Sequence, residues 1–277
     1  MKRKCLKPKP INYKESEKIY KPGDKTIKVC DKNTHIRNIG EASSDAEVFS
    51  GICMYEGKNE IPVAIKIMTT DPSTELCVLL NKTLRKEKVV PSIYDYFKSG
   101  DRYVLVMELL GMSLCRYLTI HPNTKDYQEL AKRIVNIIKI FHDAGFIHGD
   151  LHCNNVMISM DNKPYLIDFD RMSSTDTIKN DVNTLIDSLH QHPLDIASET
   201  FGYETNEYQK VLKRVEKMKD FLEMFFKEVY GQDIIDQESS SFSESESSET
   251  RSKKSTSEES DTEDESTSME ESDTEDE

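Results

Sequence analysis

The sequence lacks tryptophan and has no apolar run near the roughly 18 residues that a transmembrane helix needs. Its first residues, MKRKCLKPKPINYK, are charged without an apolar core, so we expect no secretory signal. The six cysteines lie far apart with no CxxC pair. This pattern favours reduced thiols in an intracellular, cytoplasmic protein. It counts against a protein held together by a framework of disulfides and against a zinc site.

Charge is distributed unevenly along the chain. The sequence has 277 residues and a formal net charge of −14. Residues 238–277 hold 16 Asp/Glu, 3 Lys/Arg and 19 Ser/Thr, and they carry −13 of that charge. Such a segment cannot bury enough apolar area to offset its chain entropy. We therefore predict a disordered acidic tail at 237–277 and one folded domain at 35–236, long enough for a sizeable core.

The N-terminal segment has the opposite charge. Ten Lys/Arg and three acidic residues fall within the first 28 positions. We predict a solvated basic arm at 1–34. The basic triplet Lys2-Arg3-Lys4 is compatible with a nuclear-import signal, so entry into the nucleus is an alternative to a purely cytoplasmic location.

Hydrophobic patterning divides the folded domain into two halves. Strand-like alternation or continuous apolar runs occur at 46–55, 61–68, 92–97 and 103–109. One helix, opened by Asp71-Pro72-Ser73, interrupts these strands. Helical periodicity dominates later, at 127–144, from about 180 and at 206–230, with two short strands at 155–159 and 164–167. The pattern predicts a β-rich half followed by a mostly helical one.

Three oxygen-bearing side chains stand out in residues 146–170, FIHGDLHCNNVMISMDNKPYLIDFD. Asp150, Asn155 and Asp168 fall at the ends of a loop and two short strands, where a scaffold presents catalytic groups. Carboxylate and amide oxygens suit Mg²⁺, which usually adds phosphates and water to one or two protein carboxylates. Phosphoryl transfer needs such a metal and a further carboxylate beside the attacking hydroxyl. Two aspartates and an asparagine can fill both positions.

The spacing of these residues resembles the protein-kinase superfamily. HGDLHCNN at 148–155 and DF at 168–169 are similar to its catalytic loop and its metal-binding Asp-Phe-Gly motif. VAIK at 63–66 matches the family's Val-Ala-Ile-Lys strand, and Glu75 sits where its helix C glutamate would be. VLVMELLGMSL at 104–114 is similar to the hinge of casein-kinase-like and vaccinia-related kinases. The compact plan resembles RIO kinases and the small kinase of the KEOPS assembly.

The resemblance implies ATP and Mg²⁺ as cofactors and assigns roles to individual residues. Lys66 would bind the α- and β-phosphates while paired with Glu75. Asp150 would orient the substrate hydroxyl and accept its proton, and Asn155 and Asp168 would hold Mg²⁺. The remaining nucleotide contacts that it implies are Ile39, Gly40, Val48, Ala64, Met107 as gatekeeper, Glu108 and Leu110.

Several positions depart from the family pattern. Ala42 stands at the second glycine of a degenerate glycine loop, and Gly149 replaces the usual arginine before the catalytic aspartate. Asp170 replaces the last glycine of Asp-Phe-Gly, and only 12 residues separate Asp168 from Asp181, so the peptide-docking segment is nearly absent. His152 stands where Ser/Thr kinases usually have a lysine, which leaves the acceptor open.

We therefore expect an α+β, two-lobed protein-kinase-like fold with a reduced C-terminal lobe, divided into an N-lobe at 35–110 and a C-lobe at 111–236. The expected function is ATP- and Mg²⁺-dependent transfer of phosphate to serine or threonine hydroxyls of a protein substrate, by a monomer with no nucleic-acid or membrane partner.

Two alternatives remain. The HGDLH string is similar to aminoglycoside and choline phosphotransferases, and the degenerate glycine loop suits an ATP-binding pseudokinase scaffold. Lysine-, isoleucine- and asparagine-rich usage is compatible with a large DNA virus as the source.

Overall fold

The computed structural model describes residues 13–15, 20–30, 32–40, 45–55, 59–121, 126–172, 175–203 and 205–235. Three predictions concern residues outside these ranges: Lys2-Arg3-Lys4, Ala42 of the glycine loop and the acidic tail at 237–277. All three stay predictions.

The N-terminal half is built on a six-stranded sheet and a separate hairpin. Its strands are β1 (Lys14–Glu15), β2 (Thr26–Val29), β3 (Lys32–His35), β4 (Arg37–Asn38), β5 (Ala46–Tyr55), β6 (Asn59–Met68), β7 (Ile93–Ser99) and β8 (Arg102–Glu108). The sheet has the order β1-β7-β8-β6-β5-β4, and β2 pairs with β3 alone. The four strands that alternation predicted are present, and their ends differ from the prediction by at most two residues.

Alternation along β6 separates a structural face from a functional face. Val63, Ile65 and Ile67 are fully buried and pack with the β2–β3 hairpin in a small core on one side of the sheet. The intervening residues point to the opposite side, because successive side chains of a strand alternate between faces. On that side Met68 joins the larger core, which continues into the C-terminal half. Lys66 belongs to the same face as Met68.

The prediction of a solvated arm up to residue 34 is wrong for the described part of that segment. Tyr20, Ile27 and Val29 are buried in the small core, and Tyr13 packs edge-on against Tyr103. The apolar residues of β2 alternate with threonine and lysine, and this short pattern was hidden by the high lysine content. The arm therefore contributes a hairpin that covers the outer face of the sheet.

The single predicted helix after Asp71 is two helices, α1 (Ser73–Leu79) and α2 (Lys82–Lys86). The break occurs at Asn81, whose Oδ1 accepts hydrogen bonds from the backbone N–H groups of Thr83 at 3.0 Å and Leu84 at 3.2 Å. Asparagine is among the best N-cap residues because its side chain satisfies N–H groups that lack an intrahelical partner. The apolar stripe continues across the break, so periodicity alone could not reveal it.

The C-terminal half is mostly helical. Its elements are β9 (Met112–Ser113), α3 (Leu114–Ile120), α4 (Tyr127–Asp143), β10 (Val156–Ile158), β11 (Pro164–Leu166), α5 (Ile178–Phe201), α6 (Asn206–Tyr230) and a 3-10 turn (Gln232–Ile234). The three strands form a small sheet of order β11-β10-β9. The patterning did not predict α3. No helix in the described ranges is both long enough and apolar enough to cross a bilayer.

Helix α4 forms the centre of this half. Its buried residues Leu130, Ile134 and Ile138 lie in the larger core together with Val215 and Leu222 of α6. Both helices carry an apolar stripe at helical spacing, and burying these stripes against each other is the main source of their stability. This packing supports the loop between α4 and β10, which carries Asp150.

The prediction of reduced thiols is wrong for four cysteines. Cys30 and Cys53 form a disulfide with a Cα–Cα distance of 5.6 Å, and Cys115 and Cys153 form another with a distance of 5.4 Å. We call the second bond the catalytic-loop disulfide because it joins the start of α3 to the loop between Asp150 and β10. The partners are 23 and 38 residues apart in sequence, so only the fold brings them together.

Candidate active site

A buried ammonium group joins the two halves of the molecule. Lys66 of β6 contacts Glu75 of α1, with 2.9 Å between Nζ and Oε2. The same Nζ lies 2.7 Å from Oδ1 of Asp168, which follows β11. The Lys66 and Glu75 side chains are only 11% and 4% exposed, whereas Asp168 is 39% exposed. A cation is thus held between one buried and one accessible carboxylate.

The electrostatics of this cluster keep Lys66 charged. Burial by itself would lower the pKa of the Lys66 ammonium, but the charges of Glu75 and Asp168 outweigh it, and its pKa is raised. Burial raises the pKa of the Glu75 carboxyl, and the adjacent Lys66 charge opposes that rise. Lys66 is therefore available as a fixed positive charge at neutral pH.

Asp150 lies in the loop that follows α4. Its carboxylate is 23% exposed, and its Oδ2 lies 3.7 Å from both Nε of Arg171 and Nε2 of His152. These separations leave the carboxylate near positive or polar groups without a tight ion pair. An accessible carboxylate of this kind can accept a proton from a bound hydroxyl.

Asn155 is oriented by the same loop. It is 4% exposed, and its Nδ2 donates a hydrogen bond of 2.9 Å to the backbone carbonyl of Asp150. The amide nitrogen is thereby engaged, which leaves Oδ1 as an oxygen donor. Asn155 and Asp168 together provide an amide and a carboxylate oxygen, the donor types that Mg²⁺ takes alongside phosphates and water. These residues fit the implied metal, although the described residues contain no group of three or more His, Cys, Asp or Glu that could hold a metal alone.

Asp168 is held by the buried residue that follows it. Phe169 is fully buried, with its ring centroid 5.6 Å from that of Phe141 and 5.2 Å from that of His148. Asp168 itself has φ of 65°, a left-handed conformation that non-glycine residues rarely adopt. Such strain persists only where neighbouring structure enforces it and is common at functional sites. The packing of Phe169 thus fixes the direction of the preceding carboxylate.

The catalytic loop is anchored on Asp181, at the start of α5. Asp181 is 1% exposed, and it accepts backbone hydrogen bonds from His148 at 2.7 Å and Gly149 at 2.9 Å. It also accepts a 3.0 Å hydrogen bond from Nε2 of His142, whose Nδ1 lies 2.8 Å from the Tyr230 hydroxyl. A continuous chain of contacts therefore runs from the last residue of α6 to the residue before Asp150.

Sequence reasoning did not assign any site role to Asp181, His142, Tyr230 or Arg171. The sequence pattern placed Asp181 in the first turn of a helix, but it gave no sign of the two backbone hydrogen bonds that Asp181 accepts. His142 and Tyr230 are 88 residues apart, and no sequence spacing connects them.

Gly149 has a conformational reason to be glycine. Its φ is +76°, and a Cβ at this position would lie 2.4 Å from the carbonyl oxygen of Arg171 and 3.0 Å from Asp176. Only glycine accepts both the left-handed φ and the close approach of another backbone segment. The arginine that the family pattern would place here has no room.

His148 supports the loop as a neutral imidazole. Burial lowers its pKa, although Asp181 and the carbonyl of Ile167 act in the opposite direction. Its Nε2 donates a hydrogen bond of 2.9 Å to that carbonyl, while its buried Nδ1 has no hydrogen-bond partner among the described residues. His148 thereby ties the loop to the end of β11, two residues from Phe169.

The residues expected around the adenine base come from four neighbouring segments. Ala64 of β6 is directly opposite Met107 of β8, and Val48 of β5 is opposite Lys66. The N–H of Ile39 donates to the carbonyl of Val48 at 3.0 Å. A Cβ added to the adjacent Gly40 would lie 3.2 Å from the Cβ of Val48, so the described start of the glycine loop lies close to β5.

The segment after β8 has its own support. The N–H of Glu108 donates to the carbonyl of Ser92 at 2.8 Å, and the N–H of Ser92 donates to Oε2 of Glu108 at 3.1 Å. Because the N–H of Glu108 already donates to Ser92, only the backbone carbonyl of Glu108 is left to form a hydrogen bond with adenine. Leu110 follows two residues after the end of β8.

Comparison with known proteins assigns the chain to a family. Residues 35–210 match the model described as the protein kinase domain. The serine/threonine-protein kinase pakA of Talaromyces marneffei is 27% identical over 61% of this chain and 26% of its own length. A probable casein kinase I homolog of Encephalitozoon cuniculi is 30% identical over 38% of this chain and 36% of its own. The casein kinase I homolog RAG8 of Kluyveromyces lactis is 29% identical over 48% of this chain and 26% of its own length.

The chain spans about a quarter to a third of the lengths of these relatives. The family model nevertheless covers well over half of this chain, and it includes strands β4 to β8, the catalytic loop and the start of α6. The predicted two-lobed, kinase-like α+β fold is confirmed. The chain belongs to the protein kinase domain family.

Proposed function

We propose that this protein is an ATP- and Mg²⁺-dependent serine/threonine protein kinase. The observation that carries the proposal is the buried Lys66 ammonium between Glu75 and Asp168, together with the loop in which the Asn155 amide donates to the carbonyl of Asp150. A fixed cation, two accessible carboxylates and a positioned amide are the groups that phosphoryl transfer requires.

In this proposal each residue has one task. Lys66 binds the α- and β-phosphates, and Glu75 holds Lys66 in place. Asn155 and Asp168 hold Mg²⁺, which when bound neutralises charge on the phosphates. Asp150 orients the acceptor hydroxyl and takes its proton as the oxygen attacks the γ-phosphorus. The bond to the β-phosphate oxygen then breaks, which leaves ADP and a phosphorylated acceptor.

The proposed adenine site uses the segments around β5, β6 and β8. Its members are Ile39, Gly40, Val48, Ala64, Met107, Glu108 and Leu110. Apolar side chains would cover the faces of the base, and the carbonyl of Glu108 and the N–H of Leu110 would meet its edge. The proposed domain limits are 35–110 for the N-lobe and 111–236 for the C-lobe, with the described hairpin β2–β3 added to the former.

A cytoplasmic location and a monomeric state remain predictions. The two disulfides count against the cytoplasm, since such bonds are rare in reducing compartments. Cell fractionation combined with thiol titration of the freshly isolated protein would test the location.

A small-molecule phosphotransferase is the second candidate, because the chain between Asp168 and α5 is short. Helix α5 begins at Ile178, so only nine residues separate it from Asp168. Protein kinases use this region to dock a peptide, and a short connection suits a smaller acceptor. His152 in place of the family's usual lysine favours the same reading.

Radiolabelled ATP distinguishes these candidates. The full chain is incubated with γ-labelled ATP and Mg²⁺, first with a casein-type protein and then with an aminoglycoside or choline. We expect label on protein serine or threonine. Label on the small molecule alone would support the second candidate, and nucleotide binding without transfer would indicate a pseudokinase.

Asp150→Asn provides the matched test of mechanism. It keeps the shape of the side chain and removes its basicity, so we expect transfer to be lost while ATP binding survives. Asp161→Asn is the control, because Asp161 is an exposed aspartate in the β10–β11 turn that pairs with Lys163. A full transfer rate in Asp150→Asn would show that the base has been assigned wrongly.

A further inference from the structure

A cavity with an apolar floor and a basic rim lies between α4, α6 and the β10–β11 turn. Its volume is about 410 Å³. Ile137, Pro164, Phe225 and Val229 supply the floor, and Val229 is 38% exposed. None of the residues that line this cavity belongs to the proposed ATP site. The cavity is therefore a separate feature of the C-terminal half.

Positive side chains surround this floor. Lys132, Arg133 and Lys139 of α4 line the cavity together with Lys163 of the β10–β11 turn and Lys88 after α2. Three carboxylates, from Glu87, Glu129 and Glu228, are the acidic groups among the lining residues. Arg133, Lys139 and Lys163 form salt bridges with Glu129, Asp143 and Asp161. Among the described residues, the positive charge left without an ion pair in this cavity comes from Lys88 and Lys132, and it favours a ligand with negative charge.

A second cavity extends the basic surface. It has a volume of about 270 Å³ and is lined by Lys82, Arg85, Lys86, Lys88, Val90 and Ser92. Lys88 lines both cavities, so they meet at this residue, and we call the combined surface the basic groove. Within the described residues, the side chains of Lys82, Arg85, Lys88 and Lys132 form no salt bridge. These four cations are free to contact an external carboxylate.

Lys88 occupies a position where glycine would be easier to accommodate. Its φ is 56°, and its N–H donates to the carbonyl of Arg85 while the N–H of Val89 donates to the carbonyl of Leu84. These two bonds form the Schellman motif that ends α2, and its left-handed residue is usually glycine. A lysine in this conformation is strained, and it is the residue that joins the two cavities.

We propose that the basic groove docks an acidic segment of a partner protein that carries an apolar side chain. The apolar side chain would enter the floor between Ile137 and Phe225, and flanking carboxylates would meet Lys88 and Lys132. A protein segment fits better than a nucleic acid, because the floor is apolar and a phosphate backbone has no apolar side chain to place there. The groove thus recruits acidic proteins to a surface separate from the proposed ATP site.

The test measures binding of a short fluorescein-labelled peptide by fluorescence anisotropy. The peptide has glutamates around a central pair of leucines, and the full-length protein is used. We expect binding that weakens strongly as salt rises from about 0.05 to about 0.5 M, because screening shortens the range of the charges. A peptide with lysines in place of the glutamates should not bind.

Three variants examine the groove itself. Lys132→Glu should weaken binding about tenfold or more by reversing a rim charge. Lys88→Gly should also weaken binding, yet raise the melting temperature, because glycine suits the left-handed position. Lys213→Glu is the control, since this exposed lysine of α6 lies outside both cavities and the substitution changes net charge equally.

Several outcomes would overturn the proposal. Wild-type peptide affinity in both Lys132→Glu and Lys88→Gly would show that the peptide binds elsewhere. Equal weakening in Lys213→Glu would show a general charge effect. A single-stranded oligonucleotide of similar length that binds more tightly and displaces the peptide would identify the ligand as a nucleic acid.

Discussion

Gly149 offers a sharp test because a matched glycine lies four residues earlier in the chain. Gly149 has φ of +76°, and an added Cβ would lie 2.4 Å from the Arg171 carbonyl oxygen. Gly145, at the end of α4, has φ of +90° and no atom within 4 Å of an added Cβ. Substituting each by alanine therefore imposes the same type of backbone strain, but a steric clash occurs only at Gly149.

The difference between the two variants can be estimated. A non-glycine residue in the left-handed region costs about 1–2 kcal/mol of stability. Gly145→Ala should lose about this amount. Gly149→Ala adds an overpacking term of about 1–3 kcal/mol, since the nearest atom is backbone and cannot rotate away. We expect a total loss of about 2–5 kcal/mol for Gly149→Ala, together with a displaced Asp150.

The assay combines urea unfolding with steady-state phosphoryl transfer. A displacement of about 1 Å at a catalytic group can lower the rate by about a hundredfold. We therefore expect a greatly reduced kcat for Gly149→Ala and a nearly normal kcat for Gly145→Ala. Gly149→Arg, which restores the family residue, should be at least as damaging as alanine. If Gly149→Ala matched Gly145→Ala in both stability and kcat, the proposed steric constraint would be wrong.

Lys66→Met leaves Glu75 buried without its cation, which should cost about 3–5 kcal/mol near pH 7. Burial raises the folded-state pKa of Glu75, so Glu75 becomes protonated in the folded variant as pH falls, and the loss of stability should shrink toward the ordinary glutamate pKa of about 4.3. Urea unfolding at several pH values measures this pH dependence. Tyr230→Phe removes a hydrogen bond to His142, so we expect about 0.5–1.5 kcal/mol lower stability and a lower kcat with unchanged KM for ATP. A kcat equal to that of the wild type would exclude a positioning role for Tyr230. Reductant opens both disulfides, and the catalytic-loop disulfide, whose partners are 38 residues apart, should by itself account for about 3–4 kcal/mol of the stability that is lost. Identical melting curves with and without reductant, under conditions where mass spectrometry confirms reduction, would contradict this expectation.

The sequence predicted elements whose signal is local and repeated. Helix α6 was predicted with both ends correct, because its apolar stripe recurs over 25 residues. Strand β5 was equally clear from its alternation. The break at Asn81 was missed because the apolar residues of α1 and α2 continue the same stripe across it. The β2–β3 hairpin was missed because its buried residues alternate with lysine and threonine in a lysine-rich segment.

The candidate site was predicted largely through motif spacing. Lys66, Glu75 and Asp168 were named as a group from their resemblance to kinase motifs, and the structure brings their charged atoms within 3 Å of one another in two pairs. Contacts that depend on tertiary packing had no such signal. The His142–Tyr230 contact and both disulfides join residues distant in sequence, and only the packed helices and sheet create them.

The most direct test of the proposed site is a crystal structure with a non-hydrolysable ATP analogue and Mg²⁺. The proposal predicts that Asp168 and Asn155 ligate Mg²⁺, that Lys66 contacts the α- and β-phosphates while still paired with Glu75, and that Asp150 faces the γ-phosphate. A nucleotide bound away from these side chains would contradict the proposal. So would Mg²⁺ that lacks either Asp168 or Asn155 as a ligand.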